Sequence, residues 1–371
     1  MATTLNGICP YFTMFPLSFP LGVLKHHAVE GDTVLDPFVG RGTTLYAGRL
    51  VGLPAYGIDS NPVAVAISEA KLANTSPSQV VAAAKRLLAQ IKTPSEVPIG
   101  DFWRLAFHAD VLNALCRLRE GLIANCESQT RKALRAIILG ALHGPRAKQQ
   151  PSYFSNQCPR TYAPKPRYAV KFWTENNSIP PLVDCLNIIE RRAHRYFGDE
   201  QTNGQGLVVA GDSQTINSFK HVNRKVAWII TSPPYYGMRT YLPDQWLRRW
   251  FLGGPSKVNY ANEGQLSHAS EREFSKGLSA VWSNCAKVAA SGCRLLIRFG
   301  AINDRKIDSL RLLKESLAET SWKIQTWRRA GSAAKGRRQA DHFVPAGKAI
   351  EEYDVWAKLD VGNLSRKDRT R

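Results

Sequence analysis

The stretch that decides the fold is Asp36-Pro37-Phe38-Val39-Gly40-Arg41-Gly42-Thr43-Thr44. It overlaps the end of a short apolar strand that is predicted over Thr33 to Phe38, and a helix is predicted over Thr43 to Val51. Glycines after a buried strand let the backbone turn tightly and approach a ligand closely. Amide groups at the start of the next helix favour an acidic or polar ligand group. Taken alone, the loop also fits an ordinary strand-to-helix turn.

A second strand–helix pair follows directly. Pro54 to Ile58 reads as a strand that ends in Asp59, and Asn61-Pro62 opens another helix, with the proline suited to a first helical position. Strands that alternate with helices predict a parallel sheet. A carboxylate at the end of the second strand can accept both ribose hydroxyls of a nucleoside cofactor. The Asp59 position therefore favours a cofactor site over a plain turn.

The second decisive motif is Thr231-Ser232-Pro233-Pro234-Tyr235, at the end of a strong apolar strand predicted over Val226 to Thr231. Two prolines fix φ and stiffen the segment. A rigid turn can aim the Ser232 hydroxyl and the Pro233 carbonyl at one amino group, and an aromatic ring two positions later can stack on a planar base. A simple Pro-Pro strand end is the alternative, and the glycine loop in the same chain argues against it.

The two motifs together resemble those of the S-adenosylmethionine (AdoMet)-dependent DNA amino-methyltransferases, which modify cytosine N4 or adenine N6. The family signature is a D-P-F-x-G-x-G-T-T loop and an [S/D/N]-P-P-[Y/F/W] tetrapeptide, and the resemblance covers Tyr11 to Asn74 and Leu207 to Trp356. It implies an α/β fold with a Rossmann-like AdoMet-dependent methyltransferase sheet. The sheet would be mostly parallel with an antiparallel edge hairpin, and a mainly helical insertion would interrupt it.

The resemblance also implies AdoMet as the cofactor and a role for each matching residue. The loop from Gly40 to Thr43 would wrap the methionine part, Asp59 would bind the ribose, and Asp212 would contact the adenine amino group. The Phe15-Pro16 segment would close the pocket. The implied cofactor-binding residues are Phe15, Pro16, Asp36, Phe38, Gly40, Gly42, Thr43, Asp59 and Asp212.

The double-proline segment would do the chemistry. Its implied catalytic residues are Ser232, Pro233, Pro234 and Tyr235, with Tyr236, Arg239 and Tyr241 shaping the base pocket. Two acceptors on an exocyclic amine favour a pyramidal nitrogen, whose freed lone pair attacks the methyl carbon in line. No covalent enzyme intermediate is expected. None of the seven cysteines directly follows a proline, which argues against cytosine-C5 chemistry.

Charge and composition agree with a nucleic-acid substrate. The net charge is +20, and such an excess attracts polyanions. No apolar run approaches the roughly 20 residues of a membrane-spanning helix, and no signal peptide is apparent, so we expect a cytoplasmic protein without a membrane partner. The cysteines form no C-x-x-C pair and have no histidine cluster beside them, so we expect neither a metal site nor a disulfide framework.

Four segments are expected from the sequence. Residues 1–76 would form the AdoMet-binding half, 77–206 an insertion with the target-recognition region, 207–358 the catalytic half, and 359–371 a charged tail. The stretch Gly144 to Asn177 is predicted to be irregular, basic and aromatic, and the target-recognition segment is predicted over Ala141–Asn177. This segment either contacts nucleic acid or is a proline-rich loop packed on the catalytic core. The predicted nucleic-acid-binding residues are Arg160, Tyr162, Lys165, Arg239, Arg337 and Arg338.

Several functions remain open at this point. The resemblance implies cytosine N4 as the target, because Ser-Pro-Pro, as at Ser232, is common in cytosine-N4 members; adenine N6 is the alternative. The chain is also similar to RNA guanine-N2 methyltransferases, which place a D-P-F glycine loop before a P-P-Y-G sequence, and Tyr236-Gly237 lies near the double proline. A catalytically silent nucleic-acid binder is a fourth possibility. DNA is the predicted partner, together with a cognate restriction or defence nuclease in a restriction-modification pair.

Overall fold

The computed structural model describes residues 4–11, 15–144, 150–159, 164–198, 202–237, 242–258, 266, 269–300, 308–332 and 351–360. Over these residues the chain divides into two units. The helical unit comprises Met1–Pro10, Glu69–Gln201 and Tyr241–Asn262. The sheet unit comprises Tyr11–Ser68, Thr202–Thr240 and Glu263–Arg371.

A single mixed sheet lies entirely in the sheet unit. Within the described residues it has seven strands: β1 (Val34–Asp36), β2 (Ala55–Asp59), β3 (Gly206–Ala210), β4 (Val226–Thr231), β5 (Ala289–Gly300), β6 (Trp322–Ser332) and β7 (Glu351–Leu359). Their order is β3-β2-β1-β4-β5-β7-β6. The first five strands in this order run parallel, and β7 runs antiparallel to both β5 and β6. The predicted Rossmann-like methyltransferase sheet with an antiparallel edge hairpin is confirmed.

Helices fill most of the remaining described chain. The α-helices are α1 (Ser18–His27), α2 (Thr43–Leu50), α3 (Pro62–Leu72), α4 (Pro77–Gln90), α5 (Asp101–Ala106), α6 (Ala109–Ala124), α7 (Gln129–Ala141), α8 (Pro166–Glu175), α9 (Cys185–Phe197), α10 (Trp246–Phe251), α11 (Glu271–Val288) and α12 (Ser309–Ala318). Three short 3-10 helices are η1 (Thr4–Gly7), η2 (Ile216–Phe219) and η3 (Leu242–Gln245). The run from α4 to α9 is the predicted helical insertion.

The helical unit contradicts one expectation. The stretch Gly144 to Asn177, predicted as irregular throughout, contains the ten-residue helix α8. Pro166 occupies the first turn of this helix, where its missing N–H costs nothing, and the helix buries Ala169 and Trp173. The several prolines of the stretch pointed to a loop, but the last of them begins a helix.

Helices α1 and α2 pack on one face of the sheet and α11 and α12 on the other. On the α11 side the core is apolar, with Leu295, Ile297 and Val355 packed against Leu278 and Val281. Helix α1 precedes the glycine loop and was not foreseen from the sequence. No helix in the described part of the chain is both long and apolar enough to cross a membrane.

Candidate active site

Strands β1 and β4 are parallel neighbours and bring the two sequence motifs to the same edge of the sheet. Val34 pairs with Trp228 in their register. Just beyond, Thr231 Oγ1 donates to Asp36 Oδ1 at 2.6 Å, although the two residues are 195 positions apart. The Thr44 hydroxyl of α2 donates to the Ile230 carbonyl at 3.0 Å. The glycine loop and the double-proline turn therefore begin side by side.

The glycine loop packs against α3 at Gly42 and leaves space beside Gly40. Gly40 and Gly42 have φ values of 49° and 75°, a left-handed region that favours glycine. A Cβ on Gly42 would lie 2.8 Å from Ser68 Oγ and 3.0 Å from Ser68 Cα, so the loop is packed tightly on α3. Among the residues that the structure describes, a Cβ on Gly40 would come within 4 Å of the Phe38 carbonyl alone, at 3.9 Å. The space beside Gly40 is thus available to a ligand.

Asp59 at the end of β2 fixes the loop. Its Oδ2 accepts from the Gly40 N–H at 2.9 Å, and its Oδ1 accepts from the Asn61 N–H at 2.9 Å. Burial raises the pKa of the Asp59 carboxyl to about 6, and the two backbone hydrogen bonds act in the opposite direction. Each carboxylate oxygen offers more than one acceptor position, so these contacts leave capacity for ligand hydroxyls.

Asp36 lies beneath the loop and not in its open side. Only 1% of the residue is exposed. Its Oδ1 accepts from the Thr231 hydroxyl and, at 3.1 Å, from the Phe38 N–H. Burial raises the pKa of the Asp36 carboxyl to about 6, while hydrogen bonds from Thr231, Thr44 and Phe38 lower it. The structure therefore gives Asp36 the position of a link between the two motifs.

Asp212 follows β3 in a turn that is tied to the glycine loop. Its Oδ1 accepts from the Gln214 N–H at 2.9 Å, and its side chain remains partly exposed. The neighbouring Ser213 hydroxyl donates to the Pro37 carbonyl at 2.5 Å. From α11, Asn284 Nδ2 donates to the carbonyls of Ser213 and Gln214 at 3.2 and 2.9 Å. Asn284 is a supporting residue that the sequence motifs do not reveal.

The strand order sets these groups in a row along one edge. Asp212 follows β3, Asp59 ends β2, the glycine loop follows β1 and Ser232 follows β4. Since parallel strands end at the same edge, two acidic groups, a backbone loop and a hydroxyl lie there in this order. The remaining loop residues differ in exposure, because Thr43 is buried whereas Phe38 is half-buried against Trp282.

The double-proline turn is rigid on its aromatic side. Ser232 is half-buried, and Tyr235 is only 7% exposed. The Tyr235 hydroxyl donates to Glu352 Oε1 at 2.5 Å, and its ring packs edge-on against Phe299 at 5.6 Å. A Cβ on Gly300 would come within 3.2 Å of the Tyr235 ring, so this glycine provides the room. Glu352 lies far from the motif in sequence, and no sequence signal indicated it.

The segment ahead of α1 contacts the same edge through a residue that sequence reasoning missed. Asn61 Nδ2, two positions after Asp59, donates to the Tyr11 hydroxyl at 3.0 Å. Phe15 is buried with its ring edge-on to Phe19 at 5.5 Å, and Pro16 is exposed. Among the described residues of this segment, Tyr11 is thus tied to the Asp59 turn by a hydrogen bond, and the role of the Phe15-Pro16 pair stays a prediction.

Most of the predicted nucleic-acid-binding residues lie outside the described part of the chain. Lys165 is described, and its Nζ lies 3.9 Å from Asp244 Oδ1 within the helical unit. Tyr241 also lies outside it. The predicted residues that fall outside are Arg160, Tyr162, Arg239, Arg337 and Arg338.

Clusters of His, Cys, Asp and Glu are the side-chain groups that could hold a metal ion, and cysteine pairs could form disulfides. In the ranges that the structure describes, no cluster of three or more His, Cys, Asp or Glu side chains could hold a metal ion. The seven cysteines, all within these ranges, form no disulfide, and six of them are buried.

The amino-terminal segment that carries the glycine loop matches known proteins. Residues 3–70 match the N6_N4_Mtase family model, described as DNA methylase. The predicted resemblance to the DNA amino-methyltransferases is confirmed. A 67-residue match at 40% identity is to the type II methyltransferase M.MjaII of Methanocaldococcus jannaschii, and it covers 18% of this chain but 13% of that relative. At the level of this family, AdoMet is the cofactor, as predicted.

Solved structures of methyltransferases resemble the chain more distantly. The rRNA methyltransferase aviRa from Streptomyces viridochromogenes is 11% identical, with 96% of this chain and 90% of that chain covered and a TM-score of 0.39. TehB from Haemophilus influenzae is 9% identical, with 94% and 64% covered and a TM-score of 0.35. The strand order described above, and not these similarities, establishes the fold.

Proposed function

We propose that this protein transfers a methyl group from AdoMet to an exocyclic amine of a DNA base, with cytosine N4 as the preferred target. The order of groups along the sheet edge supports this proposal most directly. A nucleoside cofactor presents an adenine amine, ribose hydroxyls and an amino-acid part in sequence. The edge offers Asp212, Asp59 and the glycine loop in the same sequence, and Ser232 follows on the next strand.

The residues present fit AdoMet. The space beside Gly40 is open, and the N–H groups at the start of α2 favour the cofactor's carboxylate. Asp59 retains acceptor capacity for the ribose hydroxyls, and the partly exposed Asp212 suits the adenine amine. When bound, AdoMet supplies an electrophilic methyl group attached to a sulfonium centre.

The double-proline turn would prepare the amine. An exocyclic aromatic amine is a poor nucleophile because its lone pair is delocalised into the ring. The Ser232 hydroxyl and the Pro233 carbonyl would accept hydrogen bonds from its two N–H groups and favour a pyramidal nitrogen, which would release one proton to solvent once it is methylated. The contact between Thr231 and Asp36 fixes this turn against the glycine loop, so that no large rearrangement is needed to align the two. Tyr235, held by Glu352, would present its ring to the base.

The choice of cytosine depends on Ser232 alone, and adenine N6 is the second candidate. A cognate restriction or defence nuclease also remains a prediction. The direct experiment incubates the purified protein with labelled AdoMet and either duplex DNA or tRNA, then digests the product to nucleosides. We expect N4-methylcytosine from DNA. N6-methyladenine would retain the reaction class and change the target base, whereas label in tRNA alone would overturn the proposal.

A matched pair of serine variants tests the site. Ser232→Ala removes one of the two acceptors that act on the amine, and we expect kcat to fall about a hundredfold. Ser291→Ala, at an exposed position early in β5, serves as the control and leaves kcat unchanged. Calorimetry should show that both variants bind AdoMet like the parent protein. Equal kcat values for the two variants would remove Ser232 from the catalytic machinery.

A further inference from the structure

The antiparallel half of the sheet presents rows of cations on the face that carries α1. Residues directly opposite each other on neighbouring strands share a face. In the first row Arg294 of β5 lies opposite Lys358 of β7, which lies opposite Lys323 of β6. All three side chains are exposed, and Lys323 is paired with Asp360. Like charges placed opposite each other destabilise a sheet, so this row calls for a functional reason.

A second row lies four residues further along β5 and β7. Arg298 forms two hydrogen bonds of 2.7 and 2.9 Å with Asp354, and Arg328 Nε lies 3.4 Å from the same carboxylate. The Arg298 and Asp354 side chains are 10% and 1% exposed, but that of Arg328 is 66% exposed. The buried Asp354 carboxylate thus contacts two guanidinium groups. The row has a net positive charge, and its exposed side chain is that of Arg328.

Aromatic rings lie between and beside the two rows. Trp356 of β7 is half-buried between them, with His27 of α1 at 5.9 Å against its ring. Trp228 of β4 carries the Arg294 guanidinium over its ring at 4.9 Å and stacks with His27 at 6.2 Å. The face therefore combines exposed cations with planar apolar groups.

A pocket of about 350 Å³ opens where this face meets α1. Phe19 and His26 of α1 line one side, and Arg298, Arg328 and Trp356 line the other. The volume falls in the range that accommodates a small organic ligand or one nucleotide unit. Within the part of the chain that the structure describes, Arg328 contacts Asp354 through Nε, which leaves its two Nη groups for an anion in the pocket.

The two faces of these strands differ in the residues they carry. There Leu295, Ile297 and Val355 are covered by α11 and α12 and form the apolar core. At neighbouring positions the α1 side instead carries exposed arginine and lysine side chains beside the half-buried Trp356. Exposed cations interleaved with aromatic rings are the chemistry that grips phosphates and stacks on bases.

We propose that the α1-side face of β5, β7 and β6 binds the sugar-phosphate backbone of a nucleic-acid strand. A phosphate would lie at Arg328 and others at the Arg294–Lys358 row, with a base or sugar against Trp356. The register supports this use, because Thr231 lies opposite Ile297 and Arg298 is the next residue of β5. That the bound strand is substrate DNA rests on the proposed function. That this surface binds a nucleic-acid strand is argued from its exposed charges alone.

Fluorescence anisotropy with labelled duplex and single-stranded DNA tests the surface. The test variant is Arg294→Gln with Lys358→Gln and Arg328→Gln. The control is Arg272→Gln with Lys276→Gln and Lys287→Gln, three exposed positions on α11 that remove the same charge from the other side of the sheet. At about 0.15 M salt we expect the Kd of the test variant to rise about tenfold or more and its salt slope to fall by about 2 to 3. The control should stay within about twofold of the parent.

Three outcomes would overturn this inference. They are an unchanged Kd and salt slope in the test variant, an equal loss in the control, and a loss of binding to anionic lipid vesicles with DNA affinity unchanged. Circular dichroism and melting of all three proteins show whether folding is intact. If the triple variant fails to fold, a Trp356→Leu variant that melts at the parental temperature replaces it in the test. We expect Trp356→Leu to weaken single-strand binding by about tenfold.

Activity measurements separate this inference from the proposed function. The test variant should keep its AdoMet affinity and its kcat at saturating DNA, and show a raised KM for DNA. If the parent protein methylates no nucleic acid but the test variant loses DNA affinity, the reaction is wrong and the surface stands. If the parent methylates DNA and the variant keeps the parental KM, the surface is wrong and the reaction stands.

Discussion

The two halves of the sheet carry their polar groups in different ways. In the parallel half, β1, β2, β3 and β4 are only 3, 5, 5 and 6 residues long, and the groups of interest follow the strand ends. In the antiparallel half, β5, β6 and β7 have 12, 11 and 9 residues, and the cations lie along one face. Strand ends depend on backbone turns and tight packing, whereas a face depends on summed charge. We therefore expect single substitutions at the strand ends to cause large losses, and single substitutions on the charged face to be tolerated.

The largest effect is expected where the parallel half is packed most tightly. Gly42→Ala places a side chain at φ 75° and drives its Cβ into Ser68. The left-handed conformation costs about 1–2 kcal/mol and the overpacking about 1–3 kcal/mol, so we expect a loss of about 2–5 kcal/mol in the free energy of unfolding. Urea unfolding measures this loss.

Gly52→Ala is the matched control. Gly52 has the same φ of 75°, and a Cβ there would meet no atom of the described part of the chain within 4 Å. It should lose only the conformational part, about 1–2 kcal/mol. Equal losses in the free energy of unfolding at the two positions would mean that the contact with Ser68 contributes nothing. The expected sensitivity of the strand ends to substitution would then be wrong.

A smaller effect is expected in the antiparallel half, at the Arg298–Asp354 pair. Arg298→Gln leaves a carboxylate that is 1% exposed with one distant guanidinium, and should cost about 2–3 kcal/mol of stability. Arg328→Gln removes a largely exposed partner of the same carboxylate and should cost less than about 1 kcal/mol. Thermal melting of the two variants gives the comparison, and a larger loss for Arg328→Gln would reverse it.

The pH dependence of stability tests the link between the two motifs. The pKa of Asp36 is raised from 3.8 to about 6 in the folded protein, so the folded state holds this proton more tightly than the unfolded chain. Stability from this group is fully present below about pH 4 and is lost as pH rises towards 6. Asp36→Asn cannot ionise and retains an oxygen for the Thr231 hydroxyl. Relative to the parent, the variant should therefore gain about 2 kcal/mol between pH 4.5 and pH 7.5.

Urea unfolding at the two pH values measures this gain. Asp59 has a similarly raised pKa and is present in both proteins, so its contribution largely cancels in the difference. If the stability difference between variant and parent does not change with pH, the folded protein does not raise the pKa of Asp36.

The smallest effect is expected where the two halves meet, at the hydrogen bond between Tyr235 and Glu352. Tyr235→Phe and Glu352→Gln should each lower kcat, by about tenfold, because the ring loses its fixed orientation, and the double variant should be little worse than either. A double-mutant cycle on kcat and KM measures this coupling, which we expect at about 1–2 kcal/mol. Additive losses would mean that Glu352 does not position the ring.

Sequence reasoning found the parallel half more completely than the antiparallel half. The glycine loop, Asp59 and the Ser232 turn were recognisable because strand ends need glycine, proline and acidic residues at fixed spacings. The structure confirmed the resulting sheet. The interior position of Asp36 was not foreseen, since a motif gives a residue's order along the chain and not the side of the loop on which it lies.

The antiparallel half shows why the rest was missed. Glu352 reaches Tyr235 only through the pairing of β7 with β5, and the Arg294–Lys358–Lys323 row exists only in the register of three strands. Neither has a local sequence signature. The helix at Pro166 was missed for a different reason, because proline fits both a loop and the first turn of a helix.

The fixed shape of the glycine loop has a consequence for turnover. The Gly40 N–H is held by Asp59 and the Gly40 carbonyl accepts from Ser68 at 2.9 Å, so both polar backbone groups of Gly40 are fixed by the protein itself. S-adenosylhomocysteine, the spent donor, shares the adenosine and amino-acid parts that such a loop would grip. In the proposed reaction, departure of the spent donor would then be slow, and its accumulation would inhibit the enzyme in competition with fresh AdoMet.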